Sequence, residues 1–382
     1  MHLAFGPIYG PEGSMLPRVE AFNRETASPT PHAPHPITPH QLPDLVREVS
    51  PLRDRRALGQ IRNLIDAIKP DIVHTHSSKA GILGRLGAWK HVARGAKIGI
   101  VHTIHGPPFM PVEGGILARL KIRAANRAYT LAERRAANNC HLIVSVADAM
   151  TEQFLARGIG RPEQFVTVRS GMETAPFLDA APGESREEVR AELGLPDDAF
   201  VIGTVARLAQ HKGHDDILDA IGEDLQQHPS WRLLWVGDGW WRDRLMGRVR
   251  SMGLEDRVTV TGLVPPEKIP AMLRAMDLLV HPSYREGLPR TVPQALLAGV
   301  CPVAYDADGT REACIDNKTG RLVPVGDRAA LAASIRWLWE HPADRKRMAA
   351  EGRTHCREAF SAEAMVHALE DVYQRALKLA SK

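Results

Sequence analysis

A chain of 382 residues is longer than one ordinary hydrophobic core organises, so two domains are expected. Hydrophobic residues at 44% and charged ones at 25% exclude a disordered or fibrous chain. A net charge of +4 favours anionic ligands but is too small and dispersed for a nucleic-acid binder, so no nucleic-acid partner is expected.

Cys140, Cys301, Cys314 and Cys356 form no CxxC pair, which argues against a disulfide framework or a thiolate zinc site and fits a reducing cytoplasm. No apolar run reaches the roughly 20 residues of a spanning helix, and no charged-then-apolar leader opens the chain. The expected location is cytoplasmic.

The chain begins almost inside a strand, MHLAF. Thr26 to Gln41 alternates Pro with His and reads as a surface loop, because each Pro lacks a backbone donor. Strands then follow at DIVHTHS, KIGIVHTIHG, HLIVSVA and FVTVRSG, with helices after the first two. Within GGILARLKIRAANRAYTLAERRAANN, helical spacing sets Leu117, Leu120, Ala124, Ala128 and Leu131 as a core stripe. Arg119, Arg123, Arg127 and Arg134 lie on a neighbouring face, read as a solvated basic surface or as one attracted to anionic lipid.

The Pro, Gly and acid of METAPFLDAAPGESREE mark a hinge, giving a first domain over 1–172 and a second over 173–359. In the second, FVIGTVARL, RLLWVGDG, RVTVTGLV, DLLVHPS, CPVAYD and GRLVPVG alternate with amphipathic segments. That alternation predicts an α/β, doubly wound parallel sheet. Helical stretches close the chain, the last being SAEAMVHALEDVYQRALKLA.

Ligands of such sheets bind beyond the carboxyl ends of the strands. There the second domain offers Arg207, Lys212 and Gly213 after one strand, Gly237, Asp238 and Gly239 after the next, and Glu286, Gly287 and Leu288 after a third. Two cations with two nearby helix starts suit a diphosphate. The bland readings are surface cations, a tight turn, and a carboxylate capping a helix that starts near Leu288. GxGxxG after a strand, GxxxxGK[ST] and GxSxG are all absent, which disfavours a dehydrogenase, a P-loop hydrolase and an α/β-hydrolase. His74, His76, His102 and His105 cluster at neighbouring strand ends, but no carboxylate shares their stretches, so no metal is expected. His74 and His102 read as sheet-edge fillers and His105 as facing the cleft between domains.

The pieces PDIVHTHSSKAGILGRL, VHTIHGPPF, TVARLAQHKGHDDILDA, LLWVGDGWWRDRL, VTGLVPPEKIPAML and HPSYREGLPRTVPQALLAGVCPVA, in this order, resemble the family 4 glycosyltransferases, retaining enzymes of the GT-B fold. The resemblance runs from Pro70 to about Gly326. It implies two Rossmann-like domains facing across a cleft, with residues 360–382 as a helix returning to the first. It also implies a nucleoside-diphosphate sugar as donor rather than a cofactor, and a glycan or lipid-linked acceptor, with peripheral membrane contact at the inner face.

By this resemblance Arg207 and Lys212 hold the diphosphate, and Gly287 and Leu288 offer backbone N–H groups. Glu286 holds a sugar hydroxyl, His105 reaches the same sugar, and Gly237, Asp238, Gly239 and the loop from Val264 to Lys268 complete the donor site. Two departures stand out. Where the family carries a second Glu after seven intervening residues, to bind ribose, this chain has Gln294. The family's opening strand and glycine-rich loop, which precede the strand that MHLAF resembles, are not in the sequence, so the first sheet is expected to lack its central strand. A sugar-nucleotide 2-epimerase of the same fold and a non-catalytic nucleotide-sugar binder are the competing readings.

Overall fold

The computed structural model describes residues 1–8, 13–26, 35–109 and 115–382. The first domain contains β1 (His2–Phe5), α1 (Leu16–Glu25), β2 (Thr38–Gln41), α2 (Pro51–Ile68), β3 (Ile72–His76) and α3 (Ser78–Val92). It continues with β4 (Gly99–Ile104), α4 (Ile116–Asn138), β5 (Leu142–Ser145), α5 (Asp148–Leu155) and β6 (Phe165–Thr167). β3 to β6 form a parallel sheet in chain order, while β1 and β2 pair only with each other. Among the described residues no ladder joins the two sheets, so β1 and β3 both present a free edge.

β2 corrects the reading of Thr26 to Gln41 as loop throughout. Its last four residues pair in parallel with β1, His2 opposite Thr38 and Phe5 opposite Gln41. Pro39 is tolerated because this strand is an edge and largely exposed. Residues 27–34 of that stretch lie outside the described residues.

The connecting segment forms α6 (Ala175–Leu178) and α7 (Arg186–Glu192). The second domain follows as β7 (Phe200–Val205), α8 (His214–Gln227), β8 (Trp231–Val236), α9 (Arg242–Ser251), β9 (Val258–Val260), α10 (Ile269–Arg274) and β10 (Leu278–His281). It ends with α11 (Thr291–Leu297), β11 (Cys301–Tyr305), β12 (Arg321–Val323), α12 (Arg328–Glu340) and α13 (Pro342–Ala359). Six parallel strands run in the order β12-β11-β10-β7-β8-β9. Alternate side chains face opposite ways: Phe200 and Ile202 join the cluster under α8, α9 and α12, whereas Val201 and Val205 join that under α10 and α11. Chain order reverses between β7 and β10, which opens a crevice at their carboxyl ends.

The last helix, α14 (Ala362–Ala380), sets Val372 and Ala376 against Val101 of β4 and Leu142 and Val144 of β5. Met172 donates its N–H to the Phe360 carbonyl and accepts from Ala362, so the chain crosses back to the first domain at this point.

One helix face is corrected. Leu117, Leu120 and Leu131 of α4 are 76%, 54% and 56% exposed rather than core. The side that meets the protein carries Tyr129, Glu133, Ala136 and Ala137 instead, because Glu133 forms a fully buried ion pair with Arg85 of α3 at 2.7 Å. Tyr129 donates a further hydrogen bond to Glu133 at 2.8 Å. Two buried charges that pair with each other anchor the helix by its polar residues, and the leucines are left outside.

Candidate functional site

The crevice between β7 and β10 gathers the charged residues named above. Lys212, in a short turn after β7, places Nζ 2.5 Å from Oε1 of Glu286, in the loop after β10. Both side chains are largely buried. Gly213 follows in the left-handed region at φ 73°, where a Cβ would stand 2.1 Å from the Pro282 carbonyl oxygen, so only glycine lets the two loops approach this closely. His281, the last residue of β10, sets Nε2 3.2 Å from the same Glu286 oxygen, off the hydrogen-bonding direction. Its Nδ1 is 3.3 Å from Thr291 Oγ1. Burial raises the Glu286 carboxyl, but His281 and Lys212 together outweigh that and hold it well below the ordinary 4.5. Glu286 is therefore a carboxylate at neutral pH.

Arg207 is exposed at the end of β7, its guanidinium carbon 5.6 Å from the centre of the Trp240 ring. With Lys212, His281 and Glu286 it lines a cavity of about 400 Å³. A larger one of about 940 Å³ adjoins it and shares His211 and Glu286. The other carboxylates of the larger cavity are already engaged. Asp215 binds Arg244 and Arg248 at 2.6 and 2.7 Å. Asp216 accepts from Tyr284, Tyr305 and Arg328 at 2.6, 2.8 and 2.9 Å. Asp219 binds Arg248 and Arg328.

The loop carrying Glu286 also touches the first domain. A Cβ on Gly287 would lie 2.0 Å from the His105 carbonyl oxygen, and one on Gly309 would lie 2.3 Å from the Gly287 carbonyl oxygen. Arg285 donates to the Pro107 carbonyl at 2.9 Å and to that of Phe109. Asp308, a non-glycine residue at φ 49°, accepts from the Glu286 N–H at 2.8 Å and from Gln153 of α5 at 2.5 Å. Arg285, Asp308 and His281 were missed in the sequence. The available signals were the Asp308-Gly309 turn pair and the charge beside Glu286.

Around the facing strand ends, His105 Nε2 lies 2.9 Å from His76 Nδ1. His74 bridges Thr103 and Tyr373 of α14, each at 2.7 Å, and His102 contacts Thr75 at 3.0 Å. Burial first, and the neighbouring imidazoles second, push His74 down to about 3 and His76 to about 4. Burial lowers His105 as well. His105 is thus a neutral hydrogen-bonding group at the cleft. Among the described residues no group of three or more His, Cys, Asp or Glu is arranged to hold a metal ion.

The remaining candidates are spread more widely. Gly237 and Gly239 pack on the loop after β7: a Cβ on either would stand 2.1 Å from the Ala206 carbonyl oxygen or 2.3 Å from that of Leu208. Their first task is loop packing. Asp238 accepts from the Gly239 N–H at 2.8 Å. Leu288 is buried in the core shared with the first domain, and Val264 packs at its margin. α11 begins at Thr291 rather than near Leu288, so Glu286 stands outside capping position. Gln294 is half-buried one turn into α11 and lines neither cavity.

The chain is similar to known proteins over most of its length. Residues 18–175 match the family described as Glycosyltransferase Family 4, and residues 185–355 match Glycosyl transferases group 1. EpsD of Bacillus subtilis, which carries a glycosyltransferase name, is 27% identical over 326 residues, 85% of this chain and 81% of its own. The Escherichia coli UDP-Gal:alpha-D-GlcNAc-diphosphoundecaprenol alpha-1,3-galactosyltransferase is 28% identical over 291 residues, 75% of this chain and 70% of its own. The crystal structure of HepE from Anabaena, in complex with UDP, superposes over 100% of both chains with a TM-score of 0.73 at 19% identity. The chain belongs to family 4 of the glycosyltransferases, with the GT-B fold, and is a glycosyltransferase that binds a nucleotide sugar.

Proposed function

We propose that the chain transfers a hexose or N-acetylhexosamine from a nucleoside-diphosphate sugar to a glycan or lipid-linked acceptor, with retention at the anomeric carbon and without a metal. The observation that carries this reading is the meeting of Lys212 and Glu286 at the switch point, beside Arg207 and a cavity of about 400 Å³. Cations there neutralise the charge that grows on a departing diphosphate, the task a divalent ion performs elsewhere. Glu286, a buried carboxylate, sits where positive charge develops on the sugar.

In the transfer step, the bond between the anomeric carbon and the β-phosphate oxygen breaks, and its electron pair leaves with the diphosphate held by Arg207 and Lys212. The acceptor hydroxyl forms the new bond to that carbon and releases its proton to the departing diphosphate. Neutral His105 hydrogen-bonds the sugar from the first domain, and Gly287 and Leu288 offer N–H groups to the donor. Gln294 takes the ribose, since an amide both accepts and donates. A 2-epimerase needs a further carboxylate as base for the C2 proton. Asp215, Asp216 and Asp219 are each bound to arginines, so none stands free to act as that base, which disfavours that reading.

The UDP bound by HepE and the UDP-Gal in the name of the Escherichia coli relative make uridine nucleotides the first donors to try. The test is incubation with a panel of nucleotide sugars and glycan or polyprenyl-diphosphate acceptors, with and without EDTA. Product configuration is read by NMR. Retained configuration and undiminished rate in EDTA are expected. Inversion or loss of activity on chelation would overturn the corresponding part.

A further inference from the structure

The two cavities that share Glu286 differ in charge. The smaller sets Arg207, Lys212 and Arg290 against Glu286 alone, a cationic excess suited to a diphosphate. In the larger, four arginines meet four carboxylates, three of them the aspartates bound above and the fourth Glu286, so the cavity carries no net charge. His211, which lines both, is held below the ordinary imidazole value by burial first and Lys212 second, and adds no charge at neutral pH. An ion gains nothing from such a site. Pro107, Trp241 and Tyr284 are the main apolar surfaces of the larger cavity, too little lining for a lipid tail.

Its two aromatic rings stand on fixed supports. Tyr284, 40% exposed, donates its hydroxyl to Asp216 at 2.6 Å, and its backbone N–H donates to the His211 carbonyl at 2.9 Å. Asp216 is buried and also accepts from Tyr305 and Arg328, so the Tyr284 ring is held at both ends. Tyr305 packs edge-on against that ring with centres 5.7 Å apart. Trp241, half-buried just before α9, has the Arg244 guanidinium carbon 4.2 Å from its ring centre. Fixed aromatic faces bordered by guanidinium and carboxylate groups match a pyranose ring, which has an apolar C–H face and a rim of hydroxyls. A guanidinium or carboxylate has more hydrogen-bonding positions than one or two ion pairs fill, so these groups keep capacity for hydroxyls.

We propose that the larger cavity binds a neutral oligosaccharide, the acceptor glycan, whose reacting end meets the donor sugar at Glu286 and whose further rings lie along Tyr284 and Trp241. This rests on the transfer reading above and adds that the acceptor is longer than one sugar and that the second domain holds its outer part. The cavity is continuous from Glu286 and Gly287, beside Pro107 of the first domain, to Arg248 of α9 and Arg328 of α12. At about 940 Å³ it stands near the upper end of the roughly 300–1,000 Å³ of small-ligand sites, room for more than a single ring. The ion pairs of Asp215, Asp216 and Asp219 join α8 to α9 and α12, so the wall is in place before any glycan arrives.

The test titrates the full chain, with and without UDP, with two neutral series followed by NMR of the sugar: glucose and maltotetraose, and N-acetylglucosamine and chitotetraose. At least one tetrasaccharide is expected to bind about tenfold or more tightly than its monosaccharide, and UDP is expected not to displace it. Tyr284→Ala and Trp241→Ala are each expected to lose most of that gain while binding UDP as wild type does. Trp241→Ala supplies the reading should Tyr284→Ala, which strips a partner from Asp216, fail to fold. Failure of both tetrasaccharides to bind, equal affinity for the short and long member of both series, or a length gain untouched in both variants would overturn the proposal. Displacement of the tetrasaccharide by UDP would also overturn it, by assigning the cavity to the nucleotide. Transfer is assayed separately. Transfer to a monosaccharide with no length gain would leave the transfer reading standing and sink this one, and a length gain without transfer would do the reverse.

Discussion

Lys212 Nζ stands 2.5 Å from Glu286 Oε1, so the cation assigned to the diphosphate and the carboxylate assigned to the sugar hold one another across the β7–β10 crevice. Each fixes the other's position before any ligand arrives, which limits the reorganisation that binding demands.

Lys212→Met removes the cation proposed to hold the donor diphosphate and is expected to weaken nucleotide-sugar binding by roughly ten- to a hundredfold in calorimetry. It also frees the Glu286 carboxyl to titrate higher. The depressed carboxyl contributes stability that is fully present above its unfolded value near 4.5 and is lost as pH falls through the folded value. The melting-temperature advantage of wild type over Lys212→Met should therefore be full above pH 4.5 and shrink below it. An advantage unchanged from neutral to acid pH would show that the pair does not set this titration.

Arg285 and Gly287 tie the donor loop to the first domain. Arg285→Ala gives up hydrogen bonds worth roughly 1–3 kcal/mol of interdomain contact, and Gly287→Ala places a Cβ 2.0 Å from the His105 carbonyl oxygen. Both are expected to open the cleft without unfolding either domain, seen as a larger radius of gyration in solution scattering with unchanged circular dichroism. An unchanged radius in both variants would mean that these contacts do not hold the domains together.

If residue 294 meets the ribose as proposed, Gln294→Glu supplies a charge-assisted partner for a hydroxyl and is expected to tighten nucleotide binding by roughly three- to tenfold. The side chain lines neither cavity, so this is a demanding test of its placement. Unaltered affinity would remove Gln294 from the ribose.

The central strands of the second domain were legible because runs such as FVIGTV in β7 are bounded by turn residues and buried on both faces. Their carboxyl ends also singled out Lys212 and Glu286, which the structure brings together at the β7–β10 crevice. Periodicity marked the leucine stripe of α4 correctly but not its direction. The inward face was chosen by the Arg85–Glu133 ion pair, which joins residues distant in sequence and looks like surface when read by hydropathy. His281, Arg285 and Asp308 were illegible for a related reason: their roles lie in contacts to Glu286, Pro107 and Gln153 that local spacing does not encode. Gly237 and Gly239 were legible as special, yet the close approach they permit is to Ala206 and Leu208 of their own domain.

The proposed transfer depends most directly on Glu286. The decisive measurement is the turnover rate of Glu286→Gln against wild type, at saturating nucleotide sugar, with the donor and acceptor that the wild type uses. A fall of roughly 10²–10³ in kcat is expected, with nucleoside-diphosphate affinity nearly unchanged. Turnover equal to wild type would contradict the assignment.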